Sequence, residues 1–421
     1  MWHIRQIVIL VLASLPFGAT YAEMTLPEAF ATAGPGTVIA LPPGDYGTLT
    51  LKGGGGTLKQ PLVVRAATPA DPPRFSGLVL NDAAHVVLDG LSFDYTFTAG
   101  DPIWVQPFTI TKSRDVTIRN TLFDGDVARG VSIPDDGFGW GIGLSVRLAD
   151  GFTLETSEMR GFHRGLAVSK SANVTIRAND IHTLRSDGMN FAQVTDVLIA
   201  DNHIHDFRRS LASTDHADMI QFWTTGTTSP SQDITIRDNV LNSGNGAYTQ
   251  SIFMRNERVD QGEAGYDLFY RDIAITGNVI INAHLHGITV GETDGLMIAN
   301  NTLIQNPASR GPENNPMLFI PQIRVVDAAR NVAILRNVVT KLDPPPRGAN
   351  WIVEKNYAIQ NLTRSKGGFY DLVFVDPAGS DPRNLASFAY RPDGALAGAD
   401  IGALRLDMAQ PVIDAGRPSI H

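Results

Sequence analysis

Residues 174–179 read Val-Thr-Ile-Arg-Ala-Asn, and residues 234–239 read Ile-Thr-Ile-Arg-Asp-Asn. The phrase alternates apolar and polar residues, which is typical of a β-strand with one buried face. Variants of it begin at Val86, Val116, Phe152, Val174, Val197, Ile234, Ile273, Leu296 and Val332. The shortest spacing is 22 or 23 residues. Such repetition predicts a stack of coils, with insertions in the longer repeats.

An asparagine stands five residues after the start of the phrase in the later repeats. These residues are Asn179, Asn202, Asn239, Asn278, Asn301 and Asn337. Equivalent positions superpose in a parallel stack, and an asparagine in a tight turn tolerates a left-handed backbone while its amide bonds to neighbouring coils. We therefore predict a structural ladder of asparagines at this corner.

Another short strand follows in each of several coils, and its alternate residues are apolar. The expected inward pairs are Leu166/Val168, Met189/Phe191, Ile220/Phe222, Ile252/Met254 and Ile288/Val290. This register leaves the intervening residues, and those just before each strand, on the outer surface.

The opening coils contain Leu41-Pro-Pro-Gly-Asp-Tyr46, Gln60-Pro-Leu-Val-Val-Arg-Ala66 and Val86-Val-Leu-Asp-Gly-Leu-Ser-Phe93. With the repeat, these segments resemble the pectin-lyase-like superfamily, and the opening coils resemble alginate lyases and chondroitinase B. The resemblance covers about residues 24–360. It implies an all-β fold, a right-handed parallel β-helix (solenoid) of about 10 coils.

Three regions are expected along the chain. Residues 1–22 are predicted to be a signal peptide, because a short apolar core is followed by small residues before Glu23. Residues 23–342 are predicted to form the β-helix, and residues 343–421 its terminal coils and a C-terminal extension. The mature protein is then expected to be periplasmic or secreted and monomeric, with no membrane span after cleavage.

The composition limits the classes of partner and cofactor. The 421 residues include 34 Lys and Arg against 43 Asp and Glu, which gives a net charge of −9. This charge argues against nucleic acid as a partner. No cysteine is present, so any metal must be held by oxygen or imidazole ligands.

One strip of the stack concentrates polar, ionisable and aromatic residues. Because coils lie about 4.8 Å apart, residues at equivalent positions become neighbours. The position before the second strand gives Arg164, Asp187, Asp218, Gln250 and His286, and the position two residues earlier gives Phe162, Arg185, His216, Tyr248 and His284. Outward positions add Asn190, Gln221, Trp223 and Arg255. Such a mixture is typical of a catalytic surface rather than of a ladder.

The segment Asp215-His216-Ala217-Asp218 partly resembles the Asp-Pro-His-Asp/Glu stretch of bacterial mannuronan C5-epimerases, without its proline. With the fold, this resemblance implies a secreted carbohydrate-active enzyme that acts on an acidic polysaccharide by β-elimination or C5 epimerisation. His216 and Tyr248 are candidates for the base and the acid, in either order. Candidates to hold the substrate carboxylate are Arg255, Arg185, Asn190 and Gln221. Further candidates to bind the substrate are Gln250, His284 and His286, and Trp223 is a candidate to stack on a sugar ring.

Asp187 and Asp218 admit two roles. They are candidate Ca²⁺ ligands, since hard oxygen donors suit that ion and it would neutralise the substrate carboxylate. Alternatively, stacked carboxylates about 5 Å apart suit the acid and nucleophile of a retaining glycoside hydrolase. A non-catalytic, glycan-binding β-helix is a third interpretation. Apart from Ca²⁺, no cofactor is expected.

Overall fold

The structure is a computed structural model, and it describes residues 8–11, 23–339, 341–342 and 345–358. The chain divides into two compact units. Unit 1 comprises the residues up to Val197 together with Ser210–Asp215, and unit 2 comprises Leu198–Arg209 and the residues from His216 onwards.

Unit 1 is built almost entirely from short strands. In chain order they are β1 (Val8–Val11), β2 (Glu23–Met24), β3 (Val38–Leu41), β4 (Thr48–Lys52), β5 (Leu62–Ala66), β6 (Arg74–Phe75), β7 (Gly77–Asn81), β8 (Ala84–Asp89), β9 (Ser92–Asp94), β10 (Phe108–Thr111), β11 (Arg114–Arg119), β12 (Leu122–Asp124), β13 (Ile142–Arg147), β14 (Asp150–Glu155), β15 (Glu158–Arg160), β16 (Arg164–Ser169), β17 (Ala172–Arg177), β18 (Asp180–His182) and β19 (Met189–Ala192). Helix α1 (Leu26–Thr32) precedes β3, and the Glu28 carboxylate caps it by accepting the Thr25 N–H at 2.7 Å.

Each complete coil of unit 1 contributes one strand to each of three sheets. Sheet I runs β3-β5-β8-β11-β14-β17, sheet II runs β6-β9-β12-β15-β18, and sheet III runs β4-β7-β10-β13-β16-β19. Successive strands pair in parallel, for example Val116 with Phe152 and Leu144 with Leu166. At the start of sheet I, β1 pairs antiparallel with β2 and β3.

The core of unit 1 lies between the three sheets. The predicted inward residues Leu166, Val168, Met189 and Phe191 are all buried. On sheet II the rings of Phe75, Phe93 and Phe123 form a ladder, with centroids 5.7 and 5.0 Å apart. Like residues therefore stack on like residues from coil to coil, which is how a parallel solenoid buries its apolar faces.

Unit 2 repeats the same architecture. Strand β20 (Thr195–Ala200) contains the boundary at Val197, and the following strands are β21 (His203–His205), β22 (Ala217–Phe222), β23 (Gln232–Arg237), β24 (Val240–Asn242), β25 (Thr249–Met254), β26 (Tyr270–Thr276), β27 (Val279–Asn282), β28 (His286–Val290), β29 (Thr293–Ala299), β30 (Thr302–Gln305), β31 (Gln322–Val325), β32 (Arg330–Leu335), β33 (Val338–Val339), β34 (Lys341–Leu342), β35 (Ile352–Glu354) and β36 (Tyr357–Ala358). The insertions contain helix α2 (Glu257–Asp260) and the 3₁₀ helices Tyr266–Leu268, Pro307–Ser309 and Pro316–Phe319.

The sheets of unit 2 are again parallel. Sheet I runs β23-β26-β29-β32-β35, sheet II runs β21-β24-β27-β30-β33-β36, and sheet III runs β22-β25-β28-β31-β34. The predicted inward pairs of β22, β25 and β28 are fully buried. The predicted all-β fold, a right-handed parallel β-helix, is therefore confirmed, and its hand is the one that parallel β crossovers adopt.

The asparagine ladder is confirmed in unit 2. Each Oδ1 from Asn239 to Asn337 accepts hydrogen bonds from the backbone N–H and the Nδ2 group of the preceding asparagine, at 2.9–3.0 Å. The left-handed conformation, however, was predicted one residue too late. It belongs to the residue before each asparagine, for example Asp238 at φ 56° and Asn300 at φ 59°. None of the six predicted ladder asparagines has a positive φ.

Some expectations fall largely outside the described residues. Of the predicted signal peptide, only Val8–Val11 is described, as β1. Of the predicted C-terminal region, residues 345–358 contain β35 and β36, which pair with β32 and β33 and so continue the coils. Residues 343–344 and 359–421 lie outside the described part. Among the described residues, no helix has the length and apolarity needed to cross a membrane.

Candidate functional site

Sheet III of unit 2 carries most of the candidate residues. Its strands pair Asp218 with Gln250, Gln221 with Phe253, and Phe253 with Thr289. The sequence predicted these neighbours from the inward apolar pairs alone. The register also pairs Ala217 with Thr249, so the preceding residues, His216 and Tyr248, occupy equivalent positions on adjacent strands.

His216 and Asp218 form a hydrogen-bonded pair at the start of β22. The Nδ1 atom of His216 lies 2.7 Å from Oδ2 of Asp218. The imidazole side chain is 53% exposed, whereas the carboxylate is fully buried. A buried carboxylate that accepts a hydrogen bond from Nδ1–H fixes the tautomer in which Nε2 carries the lone pair. The exposed ring is therefore oriented as a proton acceptor.

Tyr248 has an unusual backbone and several contacts. Its φ of 60° is in the left-handed region, which a bulky residue seldom occupies. Its hydroxyl donates a hydrogen bond to the Glu313 carboxylate. The Arg209 guanidinium lies over the ring, 5.5 Å from its centroid, and the Phe319 ring packs 6.0 Å away. These contacts hold the phenol in one orientation.

The two amide residues occupy the same sheet at different depths. Gln221 is buried on β22, while Gln250 is half-buried and stands opposite Asp218. Trp223 follows β22 directly and is partly exposed. These side chains place amide groups and an indole next to the His216–Asp218 pair along the strand.

His284 and His286 form a stacked pair at the start of β28, with ring centroids 5.1 Å apart. The backbone N–H of His286 donates to Nδ1 of His284, and Nδ1 of His286 lies 2.8 Å from the Thr289 hydroxyl. Burial lowers the pKa of His284 to about 4 and that of His286 to about 3, assisted by the positive charge of Arg324. Both imidazoles are therefore neutral near pH 7.

Arg255 is exposed but already has a partner in its own insertion. Its Nε donates to Oδ2 of Asp260, at the end of α2, over 2.7 Å. The Asp260 carboxylate raises the pKa of the Arg255 guanidinium further. The predicted contact of Arg255 with a substrate carboxylate would have to compete with this pair.

The candidates of unit 1 are more deeply buried. Asp187 is fully buried; its Oδ2 lies 3.1 Å from Arg164 Nε and accepts a hydrogen bond of 3.1 Å from the Asn190 amide. The sequence placed Arg164 and Asp187 at equivalent positions, and the ion pair agrees with that register. Asn190, expected to face a substrate, is 1% exposed and bonded to Asp187.

Arg185 is held by carboxylates of its own chain. Its Nη2 lies 2.6 Å from Oδ1 of Asp135 and 2.7 Å from Oδ2 of Asp215, and the side chain is 1% exposed. Its guanidinium also lies 5.9 and 6.0 Å from the ring centroids of Phe138 and Trp140. This enclosure favours a positioning role for Arg185 over the predicted contact with substrate.

Asp215 is the second anchor of this cluster. Its carboxylate lies 3.6 Å from Nε2 of His163 and beside Ser213 and Arg185. His163 in the first place, with Ser213 and Arg185, holds the pKa of the Asp215 carboxyl well below its usual range. The group therefore stays ionised in all but strongly acidic solution.

Several contact residues were not found from the sequence. Asp135 and Glu313 come from insertions that carry no repeat, so stacking gave them no position. Arg209 and Arg324 are isolated arginines outside any motif. Glu313 lies in the insertion between β30 and β31 and reaches the site through its bond to Tyr248.

Comparisons with known proteins concern the fold. Residues 135–303 match the family model of the right-handed β-helix region. Among curated proteins, no sequence matches this chain.

Several solved structures are similar to the chain. The surface adhesin PfbA of Streptococcus pneumoniae is similar with a TM-score of 0.52 and 12% identity, over 79% of this chain and 87% of that one. DFA-IIIase of Arthrobacter chlorophenolicus has a TM-score of 0.42 and 12% identity, over 76% of this chain and 89% of that one. The A-module of a mannuronan C-5 epimerase of Azotobacter vinelandii has a TM-score of 0.41 and 11% identity, over 79% of this chain and 92% of that one. At 12% identity the likeness to the adhesin shows the fold alone.

Proposed function

We propose that this protein is a secreted enzyme that acts on an acidic, uronate-containing polysaccharide by β-elimination or C5 epimerisation. The observation that carries the proposal is the His216–Asp218 pair, an exposed imidazole bound through Nδ1 to a buried carboxylate. The adjacent position of Tyr248 supplies a second proton-transfer group.

His216 is the base in this mechanism. With Nδ1–H donated to Asp218, Nε2 accepts the C5 proton of a uronic acid. The C–H electron pair moves into the C5–C6 bond, and negative charge develops on the substrate carboxylate. The buried Asp218 carboxylate stabilises the imidazolium that forms, because the opposite charge is close and shielded from water.

Tyr248 is the acid. In β-elimination the C4–O4 bond breaks as the C4–C5 double bond forms, and the phenol gives its proton to O4. The products are an unsaturated uronate and a new reducing end. In epimerisation the bond stays intact and Tyr248 returns a proton to the opposite face of C5. The tyrosinate left after β-elimination regains its proton from water, which closes the cycle.

The charge on the substrate carboxylate is met by amide donors. Gln250 stands opposite Asp218, Gln221 lies further along β22, and both can donate N–H groups. Trp223, directly after β22, offers a face for a sugar ring. These donors can stabilise the negative charge that develops on a substrate carboxylate.

Calcium is not used in any step of this mechanism. Oδ2 of Asp187 faces the Arg164 guanidinium at 3.1 Å, and Oδ2 of Asp218 faces His216 at 2.7 Å. A Ca²⁺ ion would have to compete with these partners for both oxygens. Calcium dependence stays a prediction that a chelator tests.

Two alternatives stand. A glycoside hydrolase using Asp187 and Asp218 needs a protonated carboxyl group within reach of the glycosidic oxygen, whereas both carboxylates are fully buried in their own units. A non-catalytic, glycan-binding β-helix requires no proton transfer. The adhesin shares only the fold with this chain.

The test incubates the purified chain with alginate, pectate, glucuronan and glycosaminoglycans, each with Ca²⁺ or with EDTA. Ultraviolet absorbance of unsaturated uronate and the appearance of reducing ends are followed together, and C5 proton exchange in D₂O detects epimerisation. We expect His216→Ala to lower the rate about 10²- to 10⁴-fold. Tyr248→Phe should lower it while retaining the ring packing.

His85→Asn is the matched control. His85 lies on β8 of sheet I and pairs with Asp115 at 3.0 Å, away from sheet III. Its φ of 55° suits asparagine. Reducing ends without unsaturated uronate would replace the proposal by hydrolysis. No signal in any of the three assays would contradict the enzymatic proposal and leave the glycan-binding alternative.

A further inference from the structure

Unit 2 contains a cavity of about 390 Å³ beside β25, β28 and β31. Its lining includes Phe253, His286, Thr289, Arg324 and Trp351. This volume is within the range of small-ligand pockets, roughly 300–1,000 Å³. The walls combine apolar and aromatic surface with a few polar groups, which is the usual composition of a binding site for one sugar-sized molecule.

Two arginines line the cavity, and among the described residues only Arg324 forms no ion pair with a carboxylate. The other lining arginine, Arg255, is bound to Asp260 at 2.7 Å. Arg324 is partly buried, and within the described part of the chain it has neither an ion pair nor a side-chain hydrogen bond. A half-buried guanidinium in a cavity favours an anionic ligand, because it keeps its charge at any ordinary pH.

The groups facing Arg324 do not cancel this charge. His286 and His284 are neutral near pH 7, since their pKa values are about 3 and 4. Asp327 also lines the cavity, but it is exposed, so water and salt screen its charge. His286 and Thr289, 2.8 Å apart, offer hydrogen-bonding atoms next to the guanidinium.

The cavity lies on the same sheet as the His216–Asp218 pair. Arg324 pairs with Thr289, Thr289 with Phe253, and Phe253 with Gln221. Three steps of about 4.8 Å place the strand position of Arg324 about 14 Å from that of Gln221. A polysaccharide lying along sheet III therefore reaches both places with different sugar units.

We propose that this cavity is a distal subsite that binds one uronate unit of the substrate, with Arg324 holding its carboxylate and Phe253 and Trp351 providing apolar contacts to its ring. The proposal rests on the function proposed above, since it assigns an acidic glycan to the same surface. Such a subsite would make the protein select substrates that carry a negative charge several sugars away from the reacting bond.

The test measures binding rather than turnover. Short oligosaccharides of mannuronate, galacturonate and glucuronate, and neutral manno-oligosaccharides of the same length, are titrated by calorimetry into the full chain carrying His216→Ala. Arg324→Gln should weaken binding of the acidic probe about 10- to 100-fold, as expected for a lost charge-assisted hydrogen bond. Arg347→Gln is the control, because it removes the same charge from an exposed residue of unit 2 outside the cavity lining.

The outcomes separate this subsite from the enzymatic function. Equal affinities of the Arg324→Gln and Arg347→Gln variants for every acidic probe would overturn the subsite, even if His216→Ala abolishes turnover. A selective loss in Arg324→Gln supports the subsite, even if the unsubstituted chain turns over no glycan. Equal affinity for the acidic and the neutral probes, or no binding of any acidic probe, would also overturn it.

Discussion

Arg185 and Asp215, 30 residues apart in sequence, are joined through one carboxylate oxygen: Nε and Nη2 of the arginine lie 3.0 and 2.7 Å from Oδ2 of the aspartate. The same Nη2 reaches Asp135 in a separate insertion. One buried guanidinium thus fixes two loops of unit 1. The shape of those loops therefore depends on Arg185, which the sequence pattern had predicted to bind the substrate.

Replacing this guanidinium should destabilise unit 1 strongly. Arg185→Met leaves the Asp135 and Asp215 carboxylates without the cation between them. The loss of one partner of a buried ion pair typically costs about 3–5 kcal/mol. Thermal and urea unfolding of the variant measure the change in free energy of unfolding.

Arg129→Met is the control for that experiment. Arg129 pairs with Asp126 at 2.6 Å, but its side chain is 62% exposed, so its loss should change the free energy of unfolding far less than the loss of Arg185. The triple variant Arg185→Met, Asp135→Asn, Asp215→Asn should recover part of the stability. Equal unfolding midpoints for Arg185→Met and Arg129→Met would contradict the role of the cluster.

The sequence predicted residue positions correctly where the repeat is unbroken. The inward pairs of β22, β25 and β28 fixed the register, and from it the positions of His216, Asp218, Tyr248 and Gln250 on sheet III. A solenoid makes this possible, because equivalent residues in successive coils become neighbours. The sequence thus described much of the site as columns of residues.

The same logic fails in the insertions and in the turns. Asp135 and Glu313 have no equivalent in the next coil, so no column located them. Which arginine is enclosed depends on such loops, so the sequence assigned the enclosed Arg185 to the substrate and assigned no role to Arg324. The left-handed residue before each ladder asparagine is set by turn geometry, which the asparagines themselves do not reveal.

The asparagine ladder should be a major source of stability in unit 2. Asn278 is fully buried, accepts from the N–H and Nδ2 groups of Asn239, and donates to Asn301 and to the Ile236 carbonyl. Asn278→Ala leaves these groups unsatisfied, so we expect a loss of about 2–4 kcal/mol. Chemical unfolding measures it.

The matched substitution is Asn314→Ala, at an exposed position for which the described residues provide no hydrogen bond. It should change the free energy of unfolding by less than about 0.5 kcal/mol. If Asn278→Ala is as stable as Asn314→Ala, the ladder is a consequence of the stack rather than one of its supports.

The stacked histidines should make unit 2 less stable in acid. Unfolded, both have a pKa near 6.5, whereas burial lowers the pKa of His284 to about 4 and that of His286 to about 3. Between these values and pH 6.5 the unfolded chain binds more protons than the folded one. The free energy of unfolding therefore falls as the pH falls from about 6.5 towards 4, by at most about 1.4 kcal/mol per pH unit for each histidine.

Unfolding midpoints measured at pH 7, 6, 5 and 4 test this expectation. The double variant His284→Asn, His286→Asn carries no titrating group at these positions and should show a shallower decline than the parent chain. The two single variants should each remove part of the slope. Identical slopes in the parent and the double variant would contradict neutral, buried imidazoles at this place.

The orientation of His216 should depend on Asp218. Asp218→Asn keeps the size of the side chain, but its amide can present an N–H group to Nδ1 and so favour the tautomer with the proton on Nε2. A base with that tautomer cannot accept the C5 proton. We expect kcat on the acidic polysaccharide to fall about 10²-fold or more, with little change in KM, because ground-state contacts with the glycan are retained.

Asp201→Asn provides the comparison. Asp201 is exposed in unit 2, its φ of 58° suits asparagine, and its distance to Arg237 is 3.9 Å, so the same chemical change there should leave kcat unaltered. Equal unfolding midpoints of both variants would show that the rate difference is not a folding defect. If Asp218→Asn retains full kcat, the carboxylate does not orient the base, and His216 would have to act without its buried partner.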